Sequence, residues 1–294
     1  MDFLKGTGVA IITPFKENGE IDFNSFRILI DFYIENSVDY LVVLGTTGES
    51  PTINFEEKSK IMKNVVKFNR GRLPLIIGFG ANNTQMLVNE ISQYDLKNFQ
   101  AILSVCPYYN RPNQIGLYKH FYNVSKASPI PLILYDVPSR TGSSISNHTI
   151  IKLTENCKNI VGIKDATGDL IKGIDLIKNS HKDFHVISGD DFTAVDLVSK
   201  GGSGVISVVA GAFPMEFSKI IKLAKERKIE EAKECFKQIE NISNLLFEEG
   251  NPSGIKALLS INNFCHNILR LPLTPVRKKL YDKIKKALNF YKFN

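Results

Sequence analysis

Lys164 ends an apolar, strand-like run, Ile160-Val161-Gly162-Ile163-Lys164-Asp165. Burial in apolar surroundings disfavours an ammonium ion, and a neutral amine attacks a ketone to form a Schiff base. A second run, Pro131-Leu132-Ile133-Leu134-Tyr135-Asp136, reads as another buried strand ending in a phenol. A lysine nucleophile and a tyrosine proton carrier at two strand ends point to an enzyme that makes an enamine from a keto acid. Alternation along a strand puts Lys164 on the face of Gly162 and Asp165 on the other, so Asp165 is not expected to neutralise the amine. Taken alone, a strand-end lysine can also snorkel to solvent.

Other polar residues gather where apolar runs end. In Leu44-Gly45-Thr46-Thr47-Gly48-Glu49 the glycines let backbone approach a ligand, and the threonines offer hydroxyls for binding or proton relay. The helix start beyond offers free N–H groups to an anion. A tight turn capped by hydroxyls accounts for the same residues. Tyr108 and Tyr109, in Cys106-Pro107-Tyr108-Tyr109-Asn110-Arg111-Pro112, read alone as plain side-chain burial. Arg140 either pairs with a surface acid or grips a substrate carboxylate through its planar fork of donors. Ser188-Gly189-Asp190-Asp191 ends a further run. The cluster Lys200-Gly201-Gly202-Ser203-Gly204 precedes its strand. That placement weakens a phosphate reading, because barrels of this kind commonly bind phosphate in the loops that follow strands seven and eight.

These residues need elements to hold them. Eight short Val/Ile/Leu-rich segments, 9–15, 40–44, 73–79, 101–106, 132–135, 160–164, 184–188 and 204–208, read as strands. Between them lie segments of helical period, such as 23–36, 55–68, 85–96 and 114–126; the first shows a face of Phe26, Leu29, Ile30 and Tyr33. Continuous apolar strands separated by helices imply a parallel sheet covered on its outer side. Eight such units predict an α/β fold, a (β/α)8 TIM barrel, with catalytic groups at the C-terminal strand ends. Beyond Phe213-Pro214 only helices are expected, at 216–227, 229–247, 255–262 and 276–291. The expected organisation is a catalytic barrel over 1–226 and a C-terminal helical extension over 227–294.

Composition limits the alternatives. The 294 residues are 43% hydrophobic and 23% charged, ordinary for a compact soluble chain. The N-terminus shows no cleavable leader pattern, and no apolar run approaches the ~20 residues that span a bilayer. Cys106, Cys157, Cys235 and Cys265 are scattered and read as reduced thiols. His181 and His185 have helical ligand spacing, but a strand beginning at Phe184 breaks it, so no metal is expected. The net charge of +7 could attract nucleic acid. Its densest stretch, 277–286, is instead one face of an amphipathic helix on Val276, Leu280, Ile284 and Leu288, and no nucleic-acid or membrane partner is expected.

Taken together, GTTGE at 45–49, PYYNRP at 107–112, YDVPSRTG at 135–142, GIKDATGD at 162–169, SGDD at 188–191 and GGSGVIS at 201–207 resemble the pyruvate-dependent class I aldolases. The chain is most similar to their dihydrodipicolinate synthase family, over nearly its whole length. The resemblance implies a lyase in which Lys164 condenses with pyruvate to an imine and then an enamine. The enamine attacks L-aspartate 4-semialdehyde, and the product is 4-hydroxy-tetrahydrodipicolinate, for lysine and diaminopimelate biosynthesis. It implies that Tyr135 carries protons, with Thr46 and Tyr109 completing a relay of hydroxyls. It further implies that Tyr109 reaches a neighbouring subunit's site, that Thr46 and Thr47 bind the pyruvate carboxylate, and that Arg140 holds the semialdehyde carboxylate. Gly189 and Ile206 are implied to line the site through backbone groups. No cofactor beyond the covalent imine, a cytoplasmic location and a homotetramer built as a dimer of dimers complete the expectation.

Ser50, Asn82 and Tyr108 match the site at which many members bind lysine as an inhibitor. Pro51, Phe55, Lys58 and Met86 depart from it, and a thioether cannot take the place of a carboxylate opposite an ammonium, so weak or absent lysine feedback is expected. The rival readings are a pyruvate lyase acting on a sialic acid or a 2-keto-3-deoxy sugar acid, a non-catalytic barrel, and a nucleic-acid-binding protein. The Ser139-Arg140-Thr141-Gly142 context argues against the first, and the joint presence of Lys164, Tyr135, Thr46, Tyr109 and Arg140 against the second. Only the net charge speaks for the third, which predicts salt-dependent binding.

Overall fold

Val9, Leu41, Val43, Leu75 and Ile77 face outward among the helices, whereas Ala10, Tyr40, Val42, Ile76 and Ile133 fill a separate interior cluster. This two-residue period belongs to a closed barrel of eight parallel strands in chain order. The computed structural model describes residues 1–291. Its first half runs β1 (Thr7–Ala10), α1 (Phe23–Glu35), β2 (Tyr40–Val43), α2 (Phe55–Asn69), β3 (Leu75–Phe79), α3 (Thr84–Ser92), β4 (Ala101–Val105) and α4 (Gln114–Ala127). The second half runs β5 (Leu132–Asp136), a one-turn α5 (Pro138–Thr141), α6 (Asn147–Asn156), β6 (Ile160–Asp165), α7 (Leu170–Asn179), β7 (His185–Ser188), α8 (Ala194–Ser199), β8 (Gly204–Ser207) and α9 (Pro214–Lys225). The chain continues with α10 (Ile229–Phe247), α11 (Ser253–Ile261) and α12 (Lys278–Phe290).

The helices start where side chains satisfy their free N–H groups. Asp22 caps α1, Asn83 caps α3 and Asn113 caps α4. Asn54 and Glu57 form a reciprocal capping box on α2.

The first strand is shorter than the sequence predicts. Pairing of β1 stops at Ala10, and Ile11 makes one last bond to the Val42 carbonyl (3.1 Å). Pro14 has no N–H for a ladder. Ile11, Ile12 and Phe15 are nevertheless buried, because the loop after β2 and the C-terminal segment cover them. Thr13 donates to the Gly48 carbonyl at 2.6 Å, and Lys256 and Arg270 lie over the Phe15 ring at 4.2 and 4.5 Å. Apolar sequence reports burial here, not strand pairing.

The four expected C-terminal helices are present, and α9 follows β8 as the barrel's last helix. In α11 every residue from Ser253 to Leu259 is buried, so the extension is anchored in the body of the protein. Residues 292–294 of the expected extension lie outside the described residues.

One buried group in the outer layer gives an acid-stability prediction. His120, on α4, bonds Thr84 through Nδ1 (2.9 Å), and burial holds its imidazole down to about 4. A histidine whose folded pKa lies below its unfolded value stabilises the fold above about pH 6.5 and loses that contribution as pH falls towards 4. The loss is about 3 kcal/mol at full effect. His120→Gln keeps an acceptor for Thr84 and is expected to flatten this part of the urea-midpoint profile between pH 7 and 4.5. Parallel profiles for the two proteins would show that His120 does not titrate on unfolding.

Candidate active site

β5 and β6 pair so that Tyr135 stands beside Lys164 and Asp136 beside Asp165. Alternation then separates the two rungs. Tyr135 and Lys164 are buried on the inward face, with the Lys164 Nζ 4.5 Å from the centre of the Tyr135 ring. The acids turn outward. Asp136 accepts from Lys172 Nζ (2.6 Å) and from the Ser144 hydroxyl (2.7 Å). Asp165 accepts from the Thr167 N–H and hydroxyl, and burial pushes its carboxyl up. Among the described residues Lys164 makes no ion pair.

Gly189, just after β7, makes room for this lysine. A Cβ there would lie 2.8 Å from Lys164 Cε and 2.8 Å from Ala166 Cβ, both inside contact distance. Gly189→Ala is therefore expected to displace the amine and to slow imine formation by about 100-fold, the scale of a 1 Å misplacement of a reacting group. Rate measurement of borohydride-trapped adduct tests this; a wild-type rate in the variant would mean that the lysine stem adapts without cost.

The loop after β2 is bracketed by two left-handed non-glycine residues, Leu44 (φ 55°) and Glu49 (φ 54°). Such conformations persist only where surroundings enforce them. Gly78 permits the first, since a Cβ there would come within 2.4 Å of the Leu44 carbonyl oxygen. The second is held by an ion pair between Glu49 and Lys256, both fully buried. Lys256 also donates to the Ile268 carbonyl (2.8 Å), and Glu49 accepts from the Arg270 N–H (3.0 Å). Desolvation lowers the Lys256 pKa, with Glu49 opposing that shift. Between the brackets, the N–H groups of Thr46 and Thr47 make no backbone hydrogen bond among the described residues.

Thr46, Thr47, Tyr135, Arg140, Lys164 and Gly189 all line one cavity of about 200 Å³. A second cavity of about 260 Å³ shares Thr46, Tyr135 and Arg140 with it and continues to Ser50, Pro51 and Tyr108. Arg140 sits on the one-turn α5 and donates to the Asn251 carbonyl (3.1 Å). The Asn251 side-chain amide donates in turn to Thr47 Oγ1 (3.0 Å).

Two expected site residues lie elsewhere in the subunit. Tyr109 lines neither cavity; it is 88% exposed, with φ 76° and its N–H on the Thr141 carbonyl (3.2 Å). Ile206 is buried in the interior cluster with Tyr135 and Ile187, and the chain after β8 reaches the cavity through Val208. Asp191 fixes that turn, accepting from the Ser207 hydroxyl and the N–H groups of Val208 (3.1 Å) and Val209 (3.3 Å). Burial pushes the Asp191 carboxyl up to about 6.

Sequence reasoning missed Asn251 and Phe247, both in the cavity wall. The signal was an asparagine in a Gly-Asn-Pro break after a long helix, which by itself reads only as a helix stop. Among the described residues no group of His, Cys, Asp and Glu is placed to hold a metal ion, and no helix is long and apolar enough to cross a membrane.

Comparison with known proteins gives the family and the fold. The chain is 44% identical over 279 residues to a 4-hydroxy-tetrahydrodipicolinate synthase of Flavobacterium psychrophilum, covering 95% of each chain. It superposes on the dihydrodipicolinate synthase of Aquifex aeolicus with a TM-score of 0.94 at 38% identity, covering 97% of both chains. A chloride-inhibited dihydrodipicolinate synthase of Acinetobacter baumannii, solved in complex with pyruvate, gives the same TM-score and identity over 97% of this chain and 98% of that one. Residues 3–290 match the model of the dihydrodipicolinate synthetase family, and the chain belongs to that family.

Proposed function

We propose that this lyase condenses pyruvate with L-aspartate 4-semialdehyde to give 4-hydroxy-tetrahydrodipicolinate, using Lys164 as nucleophile. The observation that carries the assignment of roles is the Tyr135–Lys164 rung, opening on one cavity with Thr46, Thr47 and Arg140. The pyruvate carboxylate takes the free N–H groups of Thr46 and Thr47. The Lys164 amine adds to the ketone carbon, and water leaves as the imine forms. Loss of a methyl proton gives the enamine, whose carbon attacks the aldehyde and re-forms the imine; the semialdehyde's own amino group then adds to the imine carbon and displaces the Lys164 amine as the ring closes. Each step moves a proton near the same atoms, and Tyr135, whose ring centre lies 4.5 Å from Nζ, is assigned as the carrier. A positioned proton carrier contributes typically about 10² to 10⁴-fold.

Arg140 binds the carboxylate of the semialdehyde. Its guanidinium is anchored on Asn251, which also holds Thr47, so the sites for the two substrates share one support. Tyr109, exposed on its own subunit, completes the hydroxyl relay in a partner subunit's site, within a homotetramer. Ile206 contributes through β8 and Gly189 through the clearance it gives Lys164. No cofactor beyond the imine takes part, and the enzyme works in the cytoplasm for lysine and diaminopimelate synthesis.

The decisive experiment offers the purified protein pyruvate with L-aspartate 4-semialdehyde, or with N-acetylmannosamine or glyceraldehyde. Turnover with the semialdehyde alone supports the proposal. Preference for a sugar aldehyde would reassign the chain to a sugar-acid lyase.

Two of the residues that depart from the lysine-inhibited pattern, Lys58 and Phe55, are engaged within the subunit. Lys58 pairs with Glu90 (2.6 Å), and Phe55 packs at a tilt against Tyr94, ring centres 4.9 Å apart. Millimolar L-lysine is therefore expected to leave the rate nearly unchanged; tight, saturable inhibition would overturn this.

A further inference from the structure

At the N-terminal end of the barrel the turns before β7 and β8 and the end of α9 enclose a second kind of site, a cavity of about 350 Å³. Its wall carries the cations Lys5, Lys182, Lys225 and Arg227 and the imidazoles of His181 and His185, and no carboxylate. The nearest acids stand outside the wall. Asp2 pairs with Lys5 (2.8 Å), Asp183 lies 3.5 Å from His181, and Glu226 pairs with Lys228 (2.8 Å). Lys182 and Arg227 make no ion pair among the described residues.

Like charges gathered in a concave site repel each other and raise the local concentration of anions. His185 lies in the wall of this site. It is buried with Nδ1 on the Ser203 hydroxyl (3.0 Å), and its imidazole is held below its ordinary value by burial and then by the chain terminus and Lys5. Ser180, Ser199 and Ser203 add hydroxyls, and Ile177 and Phe184 give the wall an apolar side. The glycine cluster Gly201-Gly202, whose place before its strand weakens a phosphate reading at the catalytic face, forms one of the turns around this cavity.

We propose that this cavity binds a phosphorylated small molecule of nucleotide size, its phosphoryl oxygens on Lys182, Arg227, Lys5 and Lys225 and its flat part against Phe184 and Ile177. Guanidinium and ammonium groups are the side chains that grip phosphoryl oxygens. The volume falls within the ~300–1,000 Å³ of small-molecule sites, more than a single phosphate fills. The inference does not depend on the chemistry at Lys164.

The test is calorimetric titration of the full-length protein with ATP, pyrophosphate and adenosine at low salt. ATP and pyrophosphate are expected to bind and adenosine not to, with affinity falling as sodium chloride is added. In Lys182→Ala/Arg227→Ala the ATP affinity drops at least tenfold, while borohydride-trapped pyruvate adduct forms as in wild type. A control, Lys278→Ala/Lys279→Ala, removes the same charge from the exposed face of α12 and leaves ATP binding unchanged. Equal loss in the control pair, unchanged affinity in the cavity pair, or no binding of ATP or pyrophosphate to the wild type would overturn the proposal.

Discussion

Lys164→Ala is expected to fold normally and to lose condensation rate by at least ~10³-fold, the scale expected when a covalent nucleophile is removed. With the variant, borohydride is expected to trap no pyruvyl adduct; with the wild type, mass spectrometry is expected to find one adduct, on Lys164. The reasoning rests on what surrounds the amine. The side chain is buried, it makes no ion pair among the described residues, and the two neighbouring acids face the helices instead. Nothing else in the cavity wall carries a primary amine, so no second nucleophile can substitute. Folding is expected to survive because alanine removes a buried amine whose polar partners are absent from the fold, and leaves space beside an existing cavity. An adduct on another lysine would transfer the nucleophile's role. Undiminished turnover in the variant would end the imine mechanism for this chain.

Lys256→Met is expected to be the most destabilising single substitution among those considered. Removing one partner of a buried ion pair strands the other charge, at a cost of about 3–5 kcal/mol. Here that charge is Glu49, fully buried at the end of the GTTGE loop. The expected reading is a fall on the order of 10 °C in the melting midpoint. The double variant Glu49→Gln/Lys256→Met removes both charges and should recover part of the loss. The coupling between the two positions is what a double-mutant cycle measures. Because Glu49 fixes the loop that presents Thr46 and Thr47, the single variant should also raise the KM for pyruvate. A single variant as stable as wild type would mean that water reaches this pair. A double variant worse than the single one would mean that the ion pair acts through the Ile268 and Arg270 backbone contacts instead.

The parts of this molecule that could be read from sequence are those in which neighbours in the chain are neighbours in space. Strand alternation put Lys164 and Asp165 on opposite faces, and the structure agrees, with the amine inward, because both faces of β6 are buried and a one-residue slip would turn the amine into the helix layer. The sequence segment 9–15 misled for the converse reason. Its apolar residues are buried by chain that arrives from positions 44–49 and 256–270, and no local pattern announces that cover. Lys256 reads as one polar position in a short helix, since its partner is 207 residues away. Asn251 was hidden in the same way: the bonds that make it part of the site join it to Thr47, in the loop after β2, and to Arg140, on α5.

The Glu49–Lys256 strut sets an order of events during synthesis. Ribosomes add roughly 5–20 residues per second, with N-terminal parts folding first. The 207 residues that separate the two partners therefore take roughly 10–40 s to appear at that pace. All eight strands have been translated before Lys256 exists, yet the loop that holds Thr46 and Thr47 still lacks its counter-charge. A nascent chain stalled after α9 would carry Lys164 and Tyr135 on a finished barrel with an unset substrate loop. Pyruvate chemistry is therefore expected to begin only once the chain through Lys256 has docked, and a polypeptide cut short before that residue is expected to be inert instead of half-active.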